Sequence, residues 1–210
     1  MSNSTAFDIY SAEYDRWYDE HPLIFQSELN AFWELLPQVK SALEIGVGSG
    51  RFAESLGINF GIDPSNQMLA LASRRVKFLT KARAEQLPFL SSSFELVLLS
   101  TTLCFLSDAE KAFKEIYRIL KPYGWLIIGF IDRESWLGKI YEKKKSQSKF
   151  YKYARFYSVP EVVELLKDNN FSEFEFRQVL FQPEDKMTAP DKPRAGWGEG
   201  GFVCLRARKK

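Results

Sequence analysis

Three glycines at two-residue spacing, Gly46, Gly48 and Gly50, stand between the apolar run Leu43-Glu44-Ile45 and Arg51. Glycine accepts positive φ and carries no Cβ, so such a turn bends sharply and lets a ligand approach the backbone. A helix beginning near Gly50 would aim its free N–H groups at whatever occupies the turn. The chemistry on offer is a socket for a nucleotide-like ligand. The neighbouring residues narrow its occupant. A dinucleotide fingerprint requires G-x-G-x-x-G, and its third glycine would fall where this chain has Arg51. No Lys-Ser/Thr pair follows the glycines, which excludes a P-loop.

Both departures count against a phosphate. Glu44, two residues ahead of Gly46, suits a positively charged group instead. Asp63 lies thirteen residues after Gly50, closing a second apolar run, where a carboxylate can accept hydrogen bonds from both hydroxyls of a ribose. A nucleoside with a free ribose, no phosphate and a cationic amino-acid end satisfies all three features, and S-adenosylmethionine is such a molecule.

The elements that must position these residues follow from apolar spacing. Pro22 to Leu36 reads as an amphipathic helix. Short apolar strands are expected at Ala42 to Ile45, Ile58 to Ile62, Val76 to Leu79, Phe94 to Leu99 and Trp125 to Ile131, with two more at Phe174 to Phe181 and Gly200 to Ala207. Helices separate the first five, except that a loop at Ala84 to Phe89 and a turn at Ser91 to Ser93 join the third to the fourth. One is capped by Asp63 or Ser65, one by a Ser107/Glu110 capping box, and one by a Ser158/Glu161 box. Strands alternating with helices imply a doubly wound, mostly parallel, seven-stranded sheet. The final strand follows a loop rather than a helix and is expected to run antiparallel. In such a sheet the ligand sits at the carboxyl ends of the strands, where the glycine turn falls. Residues 1–8 are expected to be disordered. Residues 1–36 form an N-terminal lid and helix, and residues 37–210 the main domain, interrupted by a basic, aromatic insertion at 133–157.

Composition sets outer limits. The 210 residues are 45% apolar and 15% aromatic, with a net charge of +2, too balanced for a dedicated nucleic-acid binder. Cys104 and Cys204 lie in apolar runs and are expected to be buried free thiols. With a single histidine, His21, and no paired-cysteine spacing, no metal site is expected. The N-terminus has no apolar signal core, and no run reaches the ~18 apolar residues of a spanning helix. The expectation is a soluble cytoplasmic protein.

Several further stretches carry a resemblance. Leu43-Glu44-Ile45-Gly46-Val47-Gly48-Ser49-Gly50, then Gly61-Ile62-Asp63-Pro64-Ser65 with Met68-Leu69, then Ala84-Glu85-Gln86-Leu87-Pro88-Phe89, Phe94-Glu95-Leu96-Val97 and Arg118-Ile119-Leu120-Lys121-Pro122 occur in the order seen in class I S-adenosylmethionine-dependent methyltransferases. The chain most resembles their small-molecule branch, akin to ubiquinone/menaquinone C-methyltransferases, from about Tyr14 to the last strand. The resemblance implies methyl transfer from S-adenosylmethionine to a small-molecule acceptor. It implies cofactor contacts from Glu44, Gly46, Val47, Gly48 and Gly50 at the turn, and from Asp63, Pro64 and Met68 at the ribose and adenine. Ala84 and Glu85 would meet the adenine edge, and Ser100 the reacting methyl. Arg83 departs from the family, which often places an aspartate there to accept from the adenine amino group. Arginine cannot accept a hydrogen bond, so Glu85 or a backbone carbonyl has to take over.

In-line displacement from a sulfonium releases a neutral thioether and can be driven largely by positioning, so no catalytic side chain is named. Tyr14, Trp17 and Tyr18 are candidate acceptor contacts in an aromatic lid. His21 is the one candidate base, although a lone histidine beside Pro22 fits a surface position as well. From Lys139 to Arg155 seven Lys/Arg are interleaved with aromatics. They form either a solvated insertion or a patch for an anionic substrate. Two other readings therefore stand beside the first: an RNA or protein methyltransferase using this patch, and a non-catalytic protein that binds S-adenosylmethionine.

Overall fold

The computed structural model describes the backbone of residues 3–210 and the side chains from Ala6 onward. Five parallel strands form one half of the sheet: β1 (Ala42–Ile45), β2 (Phe60–Asp63), β3 (Phe78–Lys81), β4 (Phe94–Ser100) and β5 (Leu120–Ile131). The other half comprises β6 (Phe171–Val179), the two-residue edge strand β7 (Arg194–Ala195) and β8 (Phe202–Lys209). The order across the sheet is β3-β2-β1-β4-β5-β8-β6-β7. β8 inserts antiparallel to both β5 and β6, as the missing crossover helix requires. β7, inside a loop rich in proline and glycine, adds an eighth strand to the seven expected.

β4 shows why its sequence is continuously apolar. Leu96 and Leu98 enter one core, with Phe32, Phe52 and Ile127, while Val97 and Leu99 enter the other, with Phe113, Ile116 and Leu166. Alternate residues point to opposite faces, and helices cover both. α3 (Pro22–Leu35), α4 (Arg51–Ser55) and α5 (Asn66–Ala72) lie on the first face, and α6 (Ala109–Ile119) and α8 (Val159–Asp168) on the second.

Some local expectations change. Residues 3–9 form a helix, α1 (Asn3–Ile9), where disorder was expected; Met1 and Ser2 fall outside the described residues. Tertiary contacts hold it. The Phe7 ring meets Tyr14 and Phe105 edge-on at 5.4 and 5.0 Å, and Asp8 accepts a hydrogen bond from Ser65 Oγ at 2.6 Å. Ser65, not Asp63, caps α5, accepting from Met68 N. α6 is capped one residue later than expected, by Asp108 accepting from Lys111 N at 3.0 Å. Ser107 is drawn away, its N–H bonded to Glu85 and its hydroxyl accepting from Arg83. The Ser158/Glu161 capping box is present. The 133–157 segment contains α7 (Trp136–Lys144) and two 3-10 turns, Lys145–Gln147 and Tyr151–Tyr153. Both cysteines are free thiols. Among the described residues, no helix is long and apolar enough to cross a membrane.

Candidate active site

The chain leaves β1 toward β2 and β3 on one side, then returns to place β4 on the other. That reversal opens a crevice at the carboxyl ends of the strands. A cavity of about 310 Å³ occupies it. Its floor is made of Gly46 and Gly48 after β1, Asp63 and Pro64 at the end of β2, Ala82 to Glu85 after β3, and Ser100 to Thr102 at the end of β4.

The glycine turn is built as its spacing suggested. Gly46, Gly48 and Gly50 have φ of 68°, 53° and 86°. A Cβ on Gly46 would overlap the Thr102 side chain, 2.5 Å from Cγ2. A Cβ on Gly48 would meet only the Tyr14 ring, at 3.7 Å, so that glycine's bare face looks into the cavity. Gly50 starts α4 and packs on Ala72 and Val76. Val47 donates to Ile62 O at 2.8 Å and fixes β1 to β2. Gly50 and Val47 thus shape the turn from behind and do not line the main cavity.

Asp63 accepts from Gly48 N at 3.0 Å and from Ser65 N at 2.8 Å, joining the turn to α5. Burial pushes its pKa up to about 6, against the lowering effect of the Ser65 and Gly48 amides. Glu44 is fully buried behind the floor and does not reach the cavity. It accepts from Ser100 Oγ, and so positions a residue that does line the cavity. Burial raises Glu44 to about 8, opposed by the Ser100 hydroxyl and the Ala53 amide. Its Oε2 has no hydrogen-bond partner in good geometry.

Of the adenine-side candidates, Pro64, Met68, Ala84 and Glu85 all line the cavity. The Glu85 carboxylate is already engaged, accepting from Ser107 N at 2.8 Å. Arg83 turns to Ser107 Oγ at 2.6 Å. Of the lid candidates, Tyr14 lines the cavity, and its hydroxyl bonds Tyr18 at 2.8 Å. Tyr18 is buried beneath it. Trp17 packs outside, against Tyr18 and His21. His21 pairs with Glu184, away from the cavity, so the structure gives no support to its use as a base there.

Residue spacing had not pointed to Phe7, Thr101, Thr102, Phe105 and Tyr153, which also line the cavity. Thr101 has φ of 50°, a rare backbone state for a β-branched residue, directly after the buried strand β4. The one sequence signal for it was position: residues just past a parallel strand's carboxyl end belong to the crevice.

Arg51, the residue that breaks the dinucleotide fingerprint, holds the lid. It donates to Asp15 at 2.6 Å and to both oxygens of Asp19 at 2.7 and 2.8 Å on α2 (Ser11–Glu20). Arg75 adds Asp15 at 3.1 Å and the Ser49 carbonyl at 2.9 Å. Burial pushes Asp15 upward, but hydrogen bonds from Arg51, Ser49 and Arg75 outweigh it and hold its pKa down at about 2. Arg51→Ala should therefore loosen α1 and α2 selectively. Hydrogen exchange should show faster amide exchange across residues 6–20, with β1 and β4 unchanged. Uniform exchange across both regions would remove Arg51 from that role.

Comparison with known proteins agrees with this geometry. Residues 43–128 match the model of a methyltransferase domain. The structure of an S-adenosylmethionine-dependent methyltransferase of Thermotoga maritima, described as a possible histamine N-methyltransferase, is 45% identical, with a TM-score of 0.95 over 98% of this chain and 99% of that one. A Methanocaldococcus jannaschii protein of unassigned function is 43% identical over 97% of this chain and 98% of its own. The ubiquinone/menaquinone C-methyltransferase of Rickettsia bellii is 29% identical over 81% of this chain and 72% of its own. The chain belongs to the class I S-adenosylmethionine-dependent methyltransferase family. Its cofactor is S-adenosylmethionine, and the bare Gly48 face and the buried carboxylate of Asp63 fit that molecule.

Proposed function

We propose that this methyltransferase modifies a small-molecule acceptor held between the N-terminal helices and the 133–157 segment. The observation that carries this reading is the aromatic lining of the cavity from both sides: Phe7 and Tyr14 from the lid, Phe105 after β4, and Tyr153 from the insertion. The cofactor accounts for most of a space of about 310 Å³, so the acceptor meets it at the aromatic end of the cavity. α1 and α2 act as the lid, with α3 packed on the sheet beside them. Within the cavity, Asp63 accepts from the ribose hydroxyls, and Pro64 and Met68 pack on the adenine. Ala84 presents backbone to the adenine edge. With the Glu85 carboxylate given to Ser107 and Arg83 unable to accept, a loop carbonyl meets the adenine amino group. Ser100, held by Glu44, stands nearest the reacting end. The cofactor supplies a methyl group on positive sulfur that departs as a neutral thioether. The chain's part is to align the acceptor and exclude water. The histamine description attached to the Thermotoga protein is in keeping with a small acceptor.

The macromolecular reading is weakened by where the basic side chains go. Lys149 binds Glu13 at 2.8 Å and Lys145 binds Glu142 at 2.9 Å. Lys152 lies over Tyr153 and Arg155 over Tyr157. Four of the seven basic side chains of 139–155 are thus engaged within the protein. The test is S-adenosylhomocysteine release from S-adenosylmethionine in the presence of a metabolite pool, of RNA and of protein. Product with the metabolite pool alone is expected. Product with RNA or protein alone would overturn the small-molecule reading. Saturable cofactor binding with no product from any pool would favour a non-catalytic role.

A further inference from the structure

Glu28 is a charged residue on the inward face of its helix. Ile24, Glu28 and Phe32 follow one another at four-residue spacing in α3, so Glu28 falls on the apolar stripe. It is 6% exposed. No hydrogen bond or ion pair reaches it among the described residues, and burial alone raises its pKa, to about 8. A buried carboxyl without a partner is costly and calls for a reason.

Its surroundings supply one. Behind burial as the main cause, the charge of Glu28 also pushes up the phenols of Tyr14 and Tyr18 on α2, Tyr141 on α7 and Tyr151 in the insertion. Three segments, α2, α7 and the turn Tyr151–Tyr153, therefore place four phenol rings within electrostatic reach of one carboxyl group. The rings pack on each other, Tyr14 on Tyr18 at 5.5 Å and Tyr141 on Tyr151 at 5.0 Å. Phe105 stacks on Tyr151 at 5.4 Å. Tyr14 and Phe105 are also walls of the cofactor cavity, so this cluster adjoins that cavity. The nearby cations of the lid and insertion are engaged elsewhere: Arg51 with Asp15 and Asp19, Lys149 with Glu13, and Lys145 with Glu142. A buried carboxyl group with no internal counter-ion, in electrostatic reach of a cluster of aromatic rings, is chemistry that recognises an organic cation.

We propose that Glu28 is the specificity residue of the acceptor site and that the acceptor is a small amine, received as its ammonium among Tyr14, Tyr18, Tyr141 and Tyr151. This rests on the small-molecule reading above and narrows it to one chemical class. The resemblance to other methyltransferases does not identify Glu28.

The test is equilibrium binding of two probes of nearly equal shape, phenethylamine and neutral 2-phenylethanol, to the protein saturated with S-adenosylhomocysteine. The wild type should bind the amine roughly 10- to 100-fold more tightly, the range of a charge-assisted contact in a desolvated site. Glu28→Gln, which keeps the side-chain shape, should abolish that preference while leaving S-adenosylhomocysteine affinity unchanged. Equal binding of the two probes by the wild type, including no binding of either, would overturn the proposal without any variant having to fold. So would an amine preference that survives in Glu28→Gln. Because preference is read at equilibrium, it separates from the transferase reading: amine preference without methyl transfer would strike that reading and leave the assignment of Glu28 standing.

Discussion

Asp63→Ala should bind S-adenosylhomocysteine about 100-fold more weakly than the wild type, measured by calorimetry at neutral pH. Two hydroxyl donors lose one carboxylate acceptor, worth together roughly 3 kcal/mol. A second effect has the same sign. The carboxylate also accepts from Gly48 N and Ser65 N, so its removal frees the glycine turn from the start of α5. Asp63→Asn separates the two effects, because its one amide oxygen can keep an internal bond while the charge is lost. The pH dependence is a further check. Burial raises Asp63 to about 6, and a protonated acid is a poorer acceptor. Affinity should therefore fall as pH drops through about 6 in the wild type and stay flat in Asp63→Asn. For folding the same shift acts in the opposite direction. The native state holds this proton more tightly than the unfolded chain does. Stability from this group is thus complete below the ordinary aspartate pKa and lost as pH rises through about 6. Affinity indifferent to both pH and the Asn substitution would show that the ribose is held elsewhere.

The second large effect is expected at Gly46. Its φ of 68° is unfavourable for any β-branched residue, and its missing Cβ leaves room for Thr102. Gly46→Val should lower stability by about 2–4 kcal/mol in urea unfolding, strain and overpacking adding together. S-adenosylhomocysteine binding should be lost in the fraction that remains folded. Adding Thr102→Ala should recover part of the stability, because it removes the overlap and leaves the backbone strain. Full recovery would mean that φ contributes nothing. No recovery would mean that the Thr102 contact is not what the glycine serves.

These two sites differ in how far the sequence announces them. Gly46 and Asp63 were legible because each role is local. A turn at positive φ depends on the residue itself, and a carboxylate at a strand end depends on where an apolar run stops. The hydrogen bond that ties Asp63 to the turn, donated by Gly48 fifteen residues earlier, was not legible, since it exists only once β1 and β2 lie side by side. Thr102 shows the same limit more strongly. Nothing in its neighbourhood marks it, yet it fills the space beside a glycine 56 positions earlier because β4 pairs with β1.

The sequence by itself determined the alternating strands and helices, the antiparallel last strand, the glycine turn and the phosphate-free character of its ligand. All of these arise from neighbours in the chain, through apolar period, capping and backbone freedom. The tertiary structure alone decided what the remaining charges do. Arg51, read in the chain only as a missing glycine, pairs with Asp15 and Asp19, and Glu44 turns from the ligand to hold Ser100. α1 becomes ordered because Phe7 and Asp8 find partners across the cavity mouth. Glu28 reads in the chain as an ordinary helix residue, and only the fold buries it and brings phenols of α2, α7 and the Tyr151–Tyr153 turn within reach of its charge. A charge takes its meaning from the dielectric and the partners around it, and in this protein both are set by segments far apart in the chain.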